Sequence, residues 1–478
     1  MSLVALLLLS AVPVDSFAVV VGENRQIGAA TQPLSYADDD AVMTHRLLTE
    51  AGVQSSLLVQ LDADSAPLFS SGEPKLVPPT RAALLQTLDR TFDNIRDARS
   101  RGRKTRLYFV YSGHGDVSDG QGYVALRDAR LTRTFLHEQI LARSPADENH
   151  IIIDACRSYF LVFGKGPGGQ RRTHNLILQD TRDRFPNTGF VLSTSSDRDS
   201  HEWARFRGGI FSHEVRSGLR GGADVDLDAT ISYNELSAFI DTANKTLPNS
   251  RYRPDSVILP PRTRGADPDV LLSWGASDTL IVTDKASLGH MVLEDSRGVR
   301  LADAHPAPGQ KLLLRTPKSR PLFLRGFEGS EEYVINQPGP TVVLSQRRTS
   351  PPAVITRGPA HLAFRMLFSA PFGPAVLRAF DPPAHEVRFT RPEVPLSSRV
   401  LSTTRAVSPW VSLGTAAVGA ALTTAAVVER GRASQADVQK SNARITRYNR
   451  GAVGAYSVAA VSGLVWLALE LLSPETDL

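Results

Sequence analysis

Three stretches of the chain are apolar throughout, where a strand with one wet face would alternate. They are Phe17-Ala18-Val19-Val20-Val21, Leu107-Tyr108-Phe109-Val110-Tyr111 and Ile151-Ile152-Ile153. A strand with no polar face has to be covered on both sides. Such strands belong to mostly parallel sheets, whose crossover helices supply the cover. The segments between them have the helical period. Asp38 to Ala51 ends on Gly52, a stop signal, and Thr80 caps a helix whose apolar face is Leu84, Leu88, Phe92 and Ile95. Helices are expected again at Arg133 to Ala142, Gly209 to Leu219 and Tyr233 to Ala243, and strands at Ser56 to Leu61 and Gly189 to Ser193. In sheets of this class, functional groups collect beyond the carboxyl ends of the strands. Two ends carry chemistry. Ser112-Gly113-His114-Gly115-Asp116 follows one strand, and Asp154-Ala155-Cys156-Arg157-Ser158 closes another.

With 478 residues the chain is too long for one core. Its 42% hydrophobic content is that of a globular protein. The net charge of +5 is spread among acids, with no finger, zipper or recognition-helix pattern, so nucleic acid is not an expected partner. Cys156 is the only cysteine, which excludes internal disulfides and a cysteine zinc cluster.

Leu3 to Val12 is an apolar run of signal-peptide length, with small and turn residues after it and no Lys or Arg before it. An export signal over residues 1–17, cut between Val14 and Phe17, is expected; a buried first strand or helix fits the same residues. The α/β domain then spans 18–262, and Pro260-Pro261 and Asp267-Pro268 mark its end. Short β-type runs follow over 270–346, at Thr279–Val282, His290–Leu293, Lys311–Leu314, Leu322–Leu324 and Thr341–Leu344. Gly, Pro and Asp turns separate them, as in a small antiparallel, sandwich-like β-domain. Residues 347–405 are Pro- and Arg-rich and are expected to be a partly ordered linker.

Trp410 to Val428 carries no charge, and Gly451 to Leu472 carries only Glu470. Each is long enough to span a bilayer, which gives a transmembrane helical hairpin over 406–472. Its loop, 429–450, holds Arg430, Arg432, Lys440, Arg444, Arg447 and Arg450 and would face the cytoplasm. The α/β domain would then sit on the periplasmic side of an inner membrane, in the cell envelope. A soluble Ala-rich hairpin is the alternative.

A free thiol is mostly protonated at neutral pH; a nearby imidazole lowers its pKa and later returns the proton to the leaving amine. Cys156 and His114 are forty-two residues apart and meet only if their strands lie close in the sheet. Taken singly, a cysteine after an apolar strand is usually a small core residue, and a histidine in a glycine turn usually has no role. Together, Tyr-Ser-Gly-His-Gly-Asp (111–116) and Asp-Ala-Cys-Arg-Ser (154–158) resemble the two active-site motifs of the caspase and metacaspase superfamily in order, strand context and spacing. The first strand ending Val-Val-Gly, then Tyr36-Ala37-Asp38-Asp39-Asp40-Ala41, then Gly209-Ile210-Phe211-Ser212 follow in register. The resemblance covers roughly residues 17–260.

It implies a caspase-like sheet and a cysteine endopeptidase acting on protein or peptide substrates, with no cofactor required. Cys156 would be the nucleophile and His114 the general base and acid, with the amides of Cys156 and Gly115 as the oxyanion hole. Asp154 stands where caspases have Gln, as in metacaspases. With Asp40 and Ser112 it would line an acidic first-specificity pocket that favours Arg or Lys; Asp154 as a structural acid capping nearby amides is the other reading. Arg157 departs from the metacaspase pattern, which has His there.

Gly164 to Arg172 is a basic, flexible loop; it suits either self-cleavage at Arg171 or Arg172, as in caspase-like maturation, or an ordinary surface loop. Asp224, Asp226, Asp228, Thr230, Ser232 and Glu235 hold positions 1, 3, 5, 7, 9 and 12 of a calcium loop, but Ala229 stands where Gly is needed. Calcium or an acidic turn with a capped helix both fit. The leading function is thus a membrane-anchored caspase-like endopeptidase; the rival is a non-enzymatic envelope binding or assembly protein on the same fold.

Overall fold

A computed structural model describes residues 13–25, 33–69, 76–118, 121–155, 181–193, 202–248, 253–254, 256–262, 269–275, 279–282, 289–326, 332–336, 347–348, 364–381, 396–432 and 438–471. Two compact units are present, residues 1–386 and 387–478. In the first, the strands of the α/β part are β1 (Val14–Glu23), β2 (Gln54–Val59), β3 (Lys104–Gly113), β4 (Gly115–Ser118), β5 (Gln121–Ala125), β6 (Arg130–Thr132), β7 (Glu148–Asp154), β8 (Thr188–Ser193), β9 (Glu202–Trp203), β10 (Gly208–Gly209), β11 (Thr230–Ser232) and β12 (Ser256–Leu259). The helices are α1 (Ala37–Glu50), α2 (Ala66–Phe69), α3 (Arg81–Ser100), α4 (Arg133–Phe135), α5 (Ile210–Ser217) and α6 (Tyr233–Asn244).

The central sheet has the order β12-β8-β7-β3-β1-β2. Every neighbouring pair is parallel except β12 with β8. Alternate residues of its apolar strands go to opposite faces. Ala18, Val20, Tyr108, Val110, Ile152 and Val191 join one core, with residues of α1, α5 and α6. Phe17, Val19, Val21, Leu107, Phe109, Tyr111, Ile151, Ile153 and Phe190 join the other, with Leu84, Leu88, Phe92 and Ile95 of α3. The cap on α3 is as expected: the Thr80 side chain accepts from the Ala83 amide at 3.2 Å.

Several boundaries differ from the expected ones. β1 starts at Val14, and Asp15 pairs with Arg103, so a cut between Val14 and Phe17 would remove part of this strand. Residues 1–12 lie outside the described residues. The helix expected at Arg133 to Ala142 is three residues of α-helix and then a π-helical turn, Leu136–Leu141. The one expected to reach Leu219 widens at Gly218 into a second π turn, where the chain reverses at Gly221 with φ +109°.

Beyond residue 262 come β13 (Val270–Ser273), β14 (Thr279–Val282), β15 (Met291–Asp295), β16 (Arg300–Ala304), β17 (Leu312–Arg315), β18 (Leu322–Gly326), β19 (Glu332–Ile335) and β20 (Arg347–Arg348). β16-β15-β18-β19-β20 form one antiparallel sheet and β14-β17 another ladder. β16 escapes the sequence reading because Arg300 and Asp303 interrupt its apolar pattern, and β19 because its apolar run is only Tyr333 to Ile335; the run expected at Thr341–Leu344 lies outside the described residues.

These strands share interior with the α/β layers. β13 pairs with β11. Tyr108 Oη donates to the Leu271 carbonyl at 2.7 Å, and Trp274 Nε1 donates to Leu219 at 2.7 Å. Asp303 of β16 is fully buried; it meets Arg300, His290 and, at 2.7 Å, His213 Nε2 of α5. Within the stretch expected to be a linker, residues 364–381 are instead packed. Phe364, Leu367, Phe368 and Phe372 are buried in the first core, and the Phe368 amide donates to Ala243 at the end of α6.

The second unit holds two long helices, Leu396–Arg432 and Val438–Leu471. They approach closely: Ser412 Oγ donates to the Ala459 carbonyl at 2.9 Å, and a Cβ on Gly419 would lie 2.8 Å from the Tyr456 ring. Among the described residues one segment, Trp410–Gly431, is long and apolar enough to cross a membrane, with mean hydropathy 1.8.

Two buried histidines make stability depend on pH. Burial pushes His150 down to about 3 and His213 down to about 4. In the unfolded chain each titrates near 6.5 (about the free value), so the unfolded state takes up protons first as pH falls. Their contribution is whole above that value and is lost below it, by about 2 kcal/mol each at about pH 5. Between about pH 7 and about pH 5, wild type should lose about 2 kcal/mol of urea-derived stability relative to His150→Phe, which lacks that histidine's contribution.

Candidate active site

β3 and β7 are neighbours, and their register pairs Ser112 with Asp154. Ser112 and Asp154 are therefore level, with position 114 two residues past the first and position 156 two residues past the second. Cys156 and Arg157 lie outside the described residues, as do Arg171 and Arg172.

His114 is partly buried. Its ring hydrogen-bonds the backbone carbonyl of Asn24, just past the end of β1. Nε2 is buried and has no hydrogen-bond partner among the described residues. Burial holds the pKa of His114 below its ordinary value, against the Asn24 bond. Near pH 7 the ring is thus neutral, as a general base requires. The His114 carbonyl is fixed by the Ala125 amide at 2.9 Å and by Tyr111 Oη at 3.0 Å. In this β4–β5 register Gly115 faces Val124 as a non-hydrogen-bonded pair, so the Gly115 amide points away from β5.

Asn24 was not legible in the sequence; its one signal is its place beyond an apolar strand. Its side chain has a second task. Oδ1 accepts from the Ala37 and Asp38 amides at 2.8 and 3.2 Å, and Nδ2 donates to Asp38 at 2.9 Å. One residue thereby caps α1 and orients His114.

Asp40, Ser112 and Asp154 gather around the start of α5. Asp40 Oδ2 accepts from the Gly209 amide at 2.8 Å. Asp154 Oδ2 accepts from the Ser212 amide at 3.0 Å and from Ser212 Oγ at 2.6 Å. Ser112 Oγ lies 3.3 Å from Ser212 Oγ. Gly209 is needed for this approach, because a Cβ there would sit 2.8 Å from Asp154 Oδ2 and 3.2 Å from Asp40 Oδ2. Arg216, one turn past Ser212, completes the group: its Nη1 lies 2.7 Å from Asp40 Oδ1. Sequence reading missed Arg216, which looks like any basic residue in the last turn of a helix.

The carboxyls are strongly perturbed. Burial pushes Asp40 up to about 8, against the pull of Arg216, and nearby Asp154 adds to the rise. Burial also raises Asp154, against its two bonds from Ser212. Two buried acids share one guanidinium, so the pair retains a proton near neutral pH.

The acidic turn before α6 is partly assembled. Asp224, Asp226 and Glu235 bring one carboxylate oxygen each within 4.8 Å of one another. The Thr230 amide donates to Asp228 at 2.7 Å, and Glu235 forms a capping box with Ser232. Ala229 adopts φ +69°, the conformation for which glycine is favoured at that place.

This parallel sheet, with a histidine turn and an acid-closed strand side by side at its carboxyl edge, is a caspase-like arrangement. Residues 15–252 match the family described as the caspase domain. Through that span the chain belongs to the caspase-domain family. Among solved structures, protein GSU0716 from Geobacter sulfurreducens is similar, at 14% identity and TM-score 0.32, covering 54% of this chain and 97% of its own. Pro-sf-caspase-1 is similar at 13% identity and TM-score 0.34, covering 55% of this chain and 91% of its own. No curated protein matches the chain.

Two outcomes test the site's geometry. An NMR titration should place His114 below the free-histidine value; a midpoint at or above that value contradicts the account. Asn24→Ala should lower stability by about 1–2 kcal/mol in urea melts, through loss of the α1 cap.

Proposed function

We propose that this protein is a caspase-like cysteine endopeptidase that cleaves after Arg or Lys. The observation that carries the reading is His114, its ring kept neutral by burial and its Nε2 unengaged among the described residues, just past a strand end level with the one that leads to Cys156. On this reading Nε2 takes the thiol proton, and Sγ attacks the scissile carbonyl carbon. The amides of Gly115 and Cys156 stabilise the oxyanion. The tetrahedral intermediate collapses as the C–N bond breaks, and His114 returns the proton to the leaving amine. Water, activated by His114, then hydrolyses the thioester.

Asp154 and Asp40, with Ser112, would hold the substrate's basic side chain. Because the pair retains a proton near neutral pH, binding a cation must expel it. Substrate affinity therefore rises with pH. Arg171 and Arg172 are the proposed self-cleavage positions. The protease is proposed to be held at the cell envelope by its two C-terminal helices, with the peptidase domain on the extracytoplasmic side. Their exposed apolar side chains, Trp410 and Leu413 among them, support a lipid environment.

Peptide cleavage after Arg should be abolished in Cys156→Ala and in His114→Ala. Wild type as inert as the mutants would leave the non-enzymatic envelope role. KM for an arginine peptide should fall as pH rises from about 6 to about 8.5, and Asp154→Asn should raise KM roughly tenfold or more and weaken that dependence.

No step of the reaction uses a cofactor. Asp224, Asp226 and Glu235 would be the residues to hold calcium, acting on stability alone. Calcium should then raise the melting temperature, and Asp226→Asn should remove the rise.

A further inference from the structure

Beside the Asp40–Arg216 pair, a cavity of about 370 Å³ opens between α1, the end of α5 and the β15–β16 turn. Arg46, Arg216, Arg220, Arg297 and Lys318 line it, against two acids, Glu50 and Asp295. The excess is three positive charges, five cations less two acids. Both acids are already engaged: Arg220 Nη1 lies 2.7 Å from Glu50, and Arg297 brackets Asp295 at 2.9 and 2.6 Å. Arg216 is 2% exposed, and its ion-pair partner Asp40 is not part of the lining. Its Nε and Nη2 have no hydrogen-bond acceptor among the described residues. Buried guanidinium donors without acceptors are costly, and an oxyanion meets them with matching geometry. Phe69 fixes two more prongs, with the Arg46 and Arg297 guanidiniums 5.3 and 5.9 Å from its ring.

We propose that this cavity binds a small oxyanion carrying two or more negative charges, a phosphate compound or a polycarboxylate. The site does not depend on peptidase activity. It shares Arg216 with the Asp40 pocket, so its occupant would alter the field at the acids there.

The test uses full-length Cys156→Ala protein, which cannot digest itself, and titrates it with pyrophosphate and with citrate at constant ionic strength. Saturable binding by calorimetry, with a rise in melting temperature, is expected for at least one; the better probe identifies the source. Lys318→Glu, at an exposed position, should weaken binding about tenfold or more, whereas Lys311→Glu, outside the lining, should not. No saturable binding of either anion overturns the proposal, as does equal weakening by the two lysine variants. Neither result bears on whether the wild-type protein cleaves peptides.

Discussion

Both faces of the central sheet have to be kept from water, and the architecture follows from that. β1, β3, β7 and β8 carry apolar side chains on both sides, so one layer of helices cannot suffice. α3 closes one face with four residues at helical spacing. α1, α5 and α6 close the other, and there the cover continues into Leu271, Leu272, Trp274, Val299 and the phenylalanines at 364, 368 and 372. The helices also decide where polar groups can stand. α1 and α5 meet over the carboxyl edge of β3 and β7, which is why Asp40 and Ser212 reach Asp154.

Electrostatics at that edge is governed by desolvation more than by pairing. Asp40 has a guanidinium at 2.7 Å and an amide bond, yet its pKa is raised because it and Asp154 are buried side by side. A pocket that looks doubly negative in sequence therefore carries less charge than its residues add up to. In the proposed peptidase, a basic substrate would exchange its charge for a proton as much as meet a standing negative field.

Much of this was legible beforehand because it depends on local pattern. The apolar runs specified the sheet and its parallel sense. The Thr80 cap and the 84-88-92-95 stripe specified α3, and the two motif segments picked out two strand ends that the register brings level. What escaped were long-range matches. Asn24 acts on His114 through a carbonyl, which every residue has. Arg216 is distinguished by Asp40, which lies 176 positions before it (216 − 40). β16 escaped because Arg300 and Asp303, which look like surface charges in sequence, are buried partners. The Pro- and Arg-rich stretch concealed Phe364 and Phe368, whose burial is set by aromatic neighbours such as Trp203 and Phe239.

The anion at Asp303 has a consequence for what counts as a unit of inheritance. It is held from one side by His213, inside the span matched by the caspase domain, and from the other by Arg300 and His290, outside it. A chain ended at residue 252 would lose the carboxylate that His213 bonds and the indole that covers Leu219. The border recognised by kinship thus runs through the middle of a single interior, closed by residues that neither side can bury alone.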